Sequence, residues 1–219
     1  KKNAINLSMK QIKKKIKGQQ FIFDYRKAIY WEDTSSLILS DIHVGKLNHF
    51  QKNGIPIPSD GSRDNLVNIK NLVIEYDPTQ IYILGDLFHS SYNKEWDDWL
   101  IYFSKSEIKF TLILGNHDQY DFKKILNSNI TLINQLNAGP FLFTHFPVKG
   151  FDEFNICGHV HPAVKLRGSG RQYMKLNCFY ISDNQLILPA FGTFTGSHIL
   201  KPNKTDHVIC LTLDGLFEL

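Results

Sequence analysis

Apolar residues fall in short blocks along this chain, and several of the blocks close on one kind of polar residue. "SLILSD" ends at Asp41, "QIYILGD" at Asp86 and "FTLILGNHD" at Asn116 and His117. "PFLFTHF" carries His145, and "FNICGHVH" carries His159 and His161. Short β-branched, aromatic and aliphatic runs of this type predict buried strands. Between them the period changes. "SRDNLVNIKNLVIEY" (62–76) places Leu66, Ile69, Val73 and Tyr76 on one helical face, with Pro78 beyond as a stop. "SYNKEWDDWLIYFSKS" (91–106) does the same with Trp96, Trp99, Leu100 and Phe103, and "DFKKILNS" (121–128) predicts a shorter third helix. Both stripes are read as core-facing. Strand alternating with helix predicts an α/β fold.

The ends read differently. "LSMKQIKKKIKG" (7–18) predicts an amphipathic helix with Ser8 as cap, an apolar stripe of Met9, Ile12 and Ile16, and Gly18 as terminator. "QFIFDYRKAIYW" (20–31) predicts two strands around a turn at Asp24 to Arg26. From Gly168 onward, "RQYMKLNCFYISDNQLILPAFGTF" and "KTDHVICLTL" predict strands with turns at Asp183-Asn184 and Asn203-Lys204, forming a second sheet packed on the first. Neither a repeat nor a low-complexity linker divides the chain. The reading is a basic N-terminal helical segment (1–18) followed by one domain (19–219).

Composition narrows the class. Hydrophobic content of 42% with 13% aromatics is ample for a packed core and argues against a disordered chain. The net charge of +4 is local: residues 1–17 hold seven lysines and no acid, leaving 18 basic against 21 acidic residues in the body. The lysines can meet nucleic-acid phosphates, and a solvated face explains them equally well. Cys157, Cys178 and Cys210 are odd in number and form no C-x-x-C pair, which disfavours a disulfide framework and a thiolate zinc site. No run reaches the roughly 18–20 apolar residues of a membrane helix, and the expected location is the cytoplasm, with no membrane partner.

The strand ends carry the chemistry. In open α/β sheets functional groups gather at the carboxyl ends of strands, and Asp41 and His43, two apart on an extended segment, are expected to face one side there. Any one of these motifs arises by chance. The ordered series D-x-H, G-D, G-N-H-D, an isolated His and G-H-x-H does not. Carboxylate, imidazole and amide donors without thiolate suit Mn, Fe or Zn. Seven candidates (Asp41, His43, Asp86, Asn116, His145, His159 and His161) are too many for one tetrahedral ion and enough for two that share a carboxylate, with Asp86 as the bridge. Two such ions serve phosphoester hydrolysis. His117, beside Asn116, is available to protonate a leaving oxygen or stabilise phosphoryl charge.

"SDIH", "GDLFH", "GNHD", "THFP" and "GHVH" resemble the five blocks of the calcineurin-like metallophosphoesterases over residues 41–161. The resemblance implies a four-layer αββα sandwich with a dimetal site at one edge. It implies Asp41, His43, Asp86 and His161 on one ion, and Asp86, Asn116, His145 and His159 on the other, with His117 catalytic. His89 in "GDLFH" stands where many phosphatases of the superfamily have Asp. A His there is similar to the nuclease subunit of double-strand-break repair complexes, which makes His89 a second catalytic candidate; a surface loop histidine is the plainer reading. Over residues 30–197, "GKLNHFQKNGIPIP", "GHVHPAVKLRGSGRQ" and "LILPAFGTFTG" resemble the ligase-associated DNA-damage-response endonucleases. That implies a Mn-supported phosphodiesterase cutting single-stranded DNA in repair, and association with a DNA ligase or helicase.

Lys46, His49 and Lys52 follow the first motif and are candidates for a phosphate track. Lys165, Arg167 and Arg171 follow the last and are candidates to grip a nucleic-acid backbone. Ordinary solvated bases account for both sets about as well. "FGTFTG" (191–196) is a phosphate-facing loop or a plain turn, and Tyr92 and Trp96 are core residues before they are base-stacking ones. The leading expectation is a DNA endonuclease with two divalent ions, Mn first. The alternative is a phosphoesterase for small monoesters, cyclic nucleotides or nucleotide diphosphates. A non-catalytic scaffold is a third reading, disfavoured because no ligand is missing.

Overall fold

The computed structural model describes residues 9–46, 61–89, 92–118, 125, 129–150, 152–168, 172–193 and 195–219. Two mixed sheets face each other. The first runs, in spatial and sequence order, β1 (Gln11–Ile16), β2 (Gln19–Asp24), β3 (Ala28–Trp31), β4 (Ser36–Leu39), β5 (Gln80–Ile83), β6 (Lys109–Ile113) and β7 (Ile130–Ile133). Its first four strands pair antiparallel and β4 to β7 pair parallel. The second contains β8 (Leu136–Ala138), β9 (Phe141–Phe143), β10 (Phe154–Cys157), β11 (Pro162–Arg167), β12 (Tyr173–Ser182), β13 (Gln185–Ile187), β14 (His198–Ile199), β15 (His207–Leu211) and β16 (Leu216–Glu218). Its main path is β14-β11-β12-β13-β10-β9-β8, with β15 joined to β12 and β16 to β15.

Period-2 alternation sorts the core into layers. Ile29, Trp31, Ile38 and Ile113 point between the sheets, where they meet Phe141, Phe143, Phe154 and Ile156. The Trp31 ring lies edge-on to Phe141 at 5.2 Å and stacked with Phe21 at 5.6 Å. Leu37, Leu39, Ile81, Ile83, Phe110 and Leu112 point the other way, against helices α1 (Gly61–Tyr76) and α2 (Lys94–Lys105). Both helices carry the predicted stripes: Leu66 and Ile69 on α1, and Trp96, Trp99 and Phe103 on α2, are buried. The outer face of the second sheet holds a smaller cluster of Val164, Cys178, Val208 and Cys210. The third predicted helix falls outside the described residues except for Ile125, which is helical and buried.

The helix expected over 7–18 is instead a strand at Gln11–Ile16, and its expected cap, Ser8, lies outside the described residues. β1 pairs antiparallel with β2 from Gln11↔Asp24 to Ile16↔Gln19, and a Lys17-Gly18 turn joins them. Ile12 and Ile16 are buried, as a helical stripe requires, but a spacing of four is also even, so both point to one face of a strand. β1 is the terminal strand of its sheet, and its lysines suit an edge that must not pair with another chain. The turn between β2 and β3 is tied to the end of α1: Arg26 clamps Asp24 through two bonds of 2.7 Å and reaches Glu75 at 2.5 Å, while Tyr76 donates to Asp24 at 2.7 Å. Among the described residues, no helix is long and apolar enough to cross a membrane.

Candidate metal centre

The parallel strands β4, β5 and β6 end side by side, and the loops that leave them zip together through the backbone. Asp41 N–H donates to Gly85 O, His43 N–H to Asp86 O and Val44 N–H to Leu87 O, at 3.1, 2.9 and 2.8 Å. On the facing sheet, Gly158 N–H donates to His145 O at 3.1 Å. Side chains from both sheets therefore meet at one rim.

Asp41 and His43 do share a side, but not by strand alternation. Both lie past the end of β4 in left-handed backbone, at φ +53° and +51°. Asp86, His159 and His161 are also left-handed, at +52°, +65° and +50°. Such conformations cost a non-glycine residue of order 1–3 kcal/mol and cluster at functional sites. The glycines of the motifs make room. A Cβ on Gly85 would stand 2.1 Å from His145 Nδ1, on Gly115 2.2 Å from Asp86 Oδ1, and on Gly158 2.5 Å from Asp41 Oδ2.

The donor atoms fall into two groups around Asp86. In the first, Asp41 Oδ1 lies 3.1 Å from His161 Nε2 and 4.0 Å from His43 Nε2, which is 3.7 Å from Asp86 Oδ2. In the second, His145 Nε2 lies 3.6 Å from Asp86 Oδ1, 3.2 Å from Asn116 Oδ1 and 3.1 Å from His159 Nδ1. All seven residues named from the sequence thus come together.

Their hydrogen bonds leave lone pairs facing one another. His145 Nδ1–H donates to Leu84 O at 2.9 Å and His161 Nδ1–H to Gly196 O at 3.0 Å, so in each neutral ring Nε2 is an acceptor. Asp41 Oδ2 accepts from His159 N–H at 2.9 Å and from the Ser40 hydroxyl, while its buried Oδ1 has no well-formed hydrogen bond. His43 Nε2 is likewise buried without one. Acceptors packed against acceptors need a cation or a shared proton between them, so the donor set fits two divalent ions. Without them, burial works to raise the Asp41 carboxyl, but a proton shared across the 3.1 Å contact from His161 Nε2 to Asp41 Oδ1 would supply a hydrogen bond and a charge that, with His145 and Ser40, hold it below its ordinary value. Burial pushes His43 down to about 3 and, with His145 beside it, lowers His159. Both rings are held neutral, the form that binds metal.

His117 and His89 stand together next to this pair. Their ring centroids are 5.0 Å apart, and each is just over 5 Å from His43, at 5.2 and 5.3 Å. His89 Nδ1 is 3.3 Å from His43 Nδ1. With His43 Nε2 kept as a lone pair, Nδ1 carries the proton and donates to His89. His117 N–H donates to Asp86 Oδ1 at 2.9 Å.

Lys46 is half-buried close by. Burial lowers its ammonium, and Asp41 and Asp86 pull the other way. Arg167 is exposed at the far end of β11, six residues past His161. His49, Lys52 and Arg171 lie outside the described residues. Trp96 is buried and stacked on Phe88 at 3.6 Å, whereas Tyr92 is exposed with its hydroxyl on Asp97.

Three supports escaped the sequence reading. Asp118 is buried, and its carboxylate accepts from Asp86 N–H, Gly115 N–H and Leu87 N–H at 2.7, 2.9 and 3.0 Å, joining the second motif to the third. Burial pushes it up to about 6. Glu95 at the start of α2 accepts from Gly45 N–H at 3.0 Å. The 191–196 loop serves the first motif: Phe191 N–H donates to Ser40 O at 2.8 Å and Gly192 N–H to Asp41 O at 3.1 Å. The "D" of "GNHD" and the 191–196 loop were visible beforehand, but nothing marked their partners, which are all main-chain.

A calcineurin-like phosphoesterase family model matches residues 35–213. The chain belongs to that family, and it is a metal-dependent phosphoesterase. The crystal structure of Pseudomonas putida nuclease MPE superposes with a TM-score of 0.79 at 25% identity, covering 95% of this chain and 100% of that one. The phosphoesterase Yfce from E. coli superposes at 0.41 with 14% identity over 83% and 90% of the two chains. The protein of unknown function AQ665 from Aquifex aeolicus does so at 0.41 with 19% identity over 57% and 78%. No curated protein matches the chain significantly.

Proposed function

We propose that the chain is a two-cation phosphodiesterase that cuts nucleic acid internally, with single-stranded DNA as substrate. The observation that carries this is Asp86, whose Oδ2 faces His43 Nε2 at 3.7 Å and whose Oδ1 faces His145 Nε2 at 3.6 Å. A carboxylate with one oxygen turned to each donor group is what two ions sharing a ligand require. Asp41, His43, His161 and Asp86 would hold one ion, and Asp86, Asn116, His145 and His159 the other, with Mn, Fe or Zn suited to these donors. A bound pair supplies Lewis acidity at the phosphoryl oxygens and water acidified to neutral pH.

The protein's own part is positional and protonic. His117 stands outside both donor groups and delivers a proton to the leaving oxygen. His89 accepts from His43 and keeps His117 company at 5.0 Å, holding it in place. Lys46 draws the phosphate to the rim. The nucleic-acid part of the reading is supported by the likeness to Pseudomonas putida nuclease MPE over nearly all of both chains.

The test is covalently closed single-stranded DNA with Mn, because a circle has no ends. Conversion of circles to linear and shorter products is expected. A metal-loaded preparation that hydrolyses a small phosphoester yet leaves circles intact overturns the nuclease reading in favour of a small-molecule phosphoesterase.

A further inference from the structure

His161 leads directly into β11, and β11 and β12 form a hairpin that extends from the rim of the site. Their register sets Lys165 opposite Lys175 and Arg167 opposite Tyr173. Alternation puts Lys165, Arg167, Lys175 and Tyr173 on one face, while Val164, Leu166 and Leu176 turn to the apolar cluster behind. All four side chains on the open face are exposed, Tyr173 to 56%. Among the described residues, none of the three cations forms a salt bridge.

Two features of this face work against stability. Like charges directly opposite on paired strands repel, and Lys165 and Lys175 are such a pair. Tyr173 shows its ring to solvent although an apolar cluster lies on the other side of the same hairpin. Lys165 Nζ sits 4.0 Å from the Tyr173 ring centroid, so a cation lies over a ring that stays more than half exposed. A polyanion relieves the first defect, and a flat partner fills the second.

We infer that this face of the β11–β12 hairpin is a platform for single-stranded nucleic acid, with Tyr173 stacking on an unpaired base and Lys165, Arg167 and Lys175 on the flanking phosphates. Cations that follow a backbone together with an aromatic that takes a base are the two parts of single-strand recognition. A duplex keeps its base faces covered and offers Tyr173 nothing. The inference rests on the nuclease reading of the metal centre, and the platform is joined to that centre. His161 Nδ1–H donates to Gly196 O at 3.0 Å, and Lys175 donates to the next carbonyl, Ser197 O, at 2.7 Å. At ~3.3 Å per residue along β11, Lys165 lies about 13 Å and Arg167 about 20 Å from His161, so a strand held here runs toward the rim.

The experiment is fluorescence anisotropy on the full chain in EDTA, where binding is read without cleavage. The probes are a labelled oligodeoxynucleotide, an abasic strand of equal length and the duplex. Tyr173→Ala should weaken the base-bearing strand about tenfold and leave the abasic strand unchanged, while Tyr173→Phe keeps wild-type affinity. Replacing Lys165, Arg167 and Lys175 by alanine should weaken both single strands and flatten the salt dependence by about 2 in slope, from ~0.7 per phosphate. If these variants bind like wild type while wild type cuts circles, the platform is wrong and the nuclease reading stands. If wild type binds strands through this face yet leaves circles intact, the nuclease reading fails and the platform stands. Binding of anionic vesicles but not oligonucleotide through the same residues overturns the inference.

Discussion

The Asp118 carboxylate holds the backbone N–H of Asp86 at 2.7 Å, so the residue between the two donor groups is fixed from behind by an acid that touches no candidate ion site. The same Oδ2 takes Gly115 N–H, and Oδ1 takes Leu87 N–H. In Asp118→Asn, one of the three donors must face an amide NH2 instead. Loss of a charge-assisted bond of this kind costs about 2 kcal/mol, or ~4–8 °C in a chain of this size. Turnover should fall with it. A thermal melt and a turnover assay on the same preparation check both effects.

Packed lone pairs make the metal-free protein unstable at this rim. Mn at a hundred times its dissociation constant should therefore stabilise the fold by about 2.7 kcal/mol per site, a rise of ~5–11 °C. Asp86→Ala should remove most of that rise and lower the bound-metal stoichiometry, because both groups use the same carboxylate. Differential scanning fluorimetry and elemental analysis measure these outcomes.

His117 lies outside both donor groups, so its loss should separate chemistry from metal binding. His117→Ala should reduce phosphodiester turnover by about 10²–10⁴-fold with metal content unchanged. His89→Ala should give a smaller loss. Parallel metal analysis and steady-state kinetics decide it, and a His117→Ala protein that turns over normally would remove this residue from the mechanism.

Close approach at Gly158 gives a sterically defined variant. A methyl there would stand 2.2 Å from Ser40 Oγ and 2.5 Å from Asp41 Oδ2. Gly158→Ala should destabilise by ~1–3 kcal/mol through overpacking and displace Asp41. Gly168, whose nearest neighbour would be 3.8 Å from an added Cβ, is the matched control. Gly168→Ala should stay within about 0.5 kcal/mol of wild type. Chemical denaturation of both proteins makes the comparison.

Burial of Ile12 distinguishes an integral strand from an appended tail. Ile12 contacts the inter-sheet core, and Ile12→Ala should cost about 2 kcal/mol or more. A solvated helix would lose almost nothing. Equilibrium unfolding reads the difference.

What was legible in the sequence was whatever carries its signature locally. The strand-end motifs could be found because each buried run stops at a donor residue, and the stripes of α1 and α2 because Trp96, Trp99 and Phe103 fit no other period. The N-terminal segment misled because Ile12 and Ile16 satisfy helix and strand alike, and only pairing with β2 chooses. The shared side of Asp41 and His43 was expected for the wrong reason, since Asp and His enter left-handed backbone more readily than most residues but do not require it, so their presence does not announce it. Apart from Gly115, the main-chain groups that Asp118, Glu95 and the 191–196 loop act on lie far away in sequence, and such partners have no spacing to read.

Asp41, His43, Asp86 and Asn116 come from the first sheet, and His145, His159 and His161 from the second. No half of the chain owns a complete set. Hydrolytic power therefore arises only after the two sheets have docked, and a nascent or partly unravelled copy is a silent one.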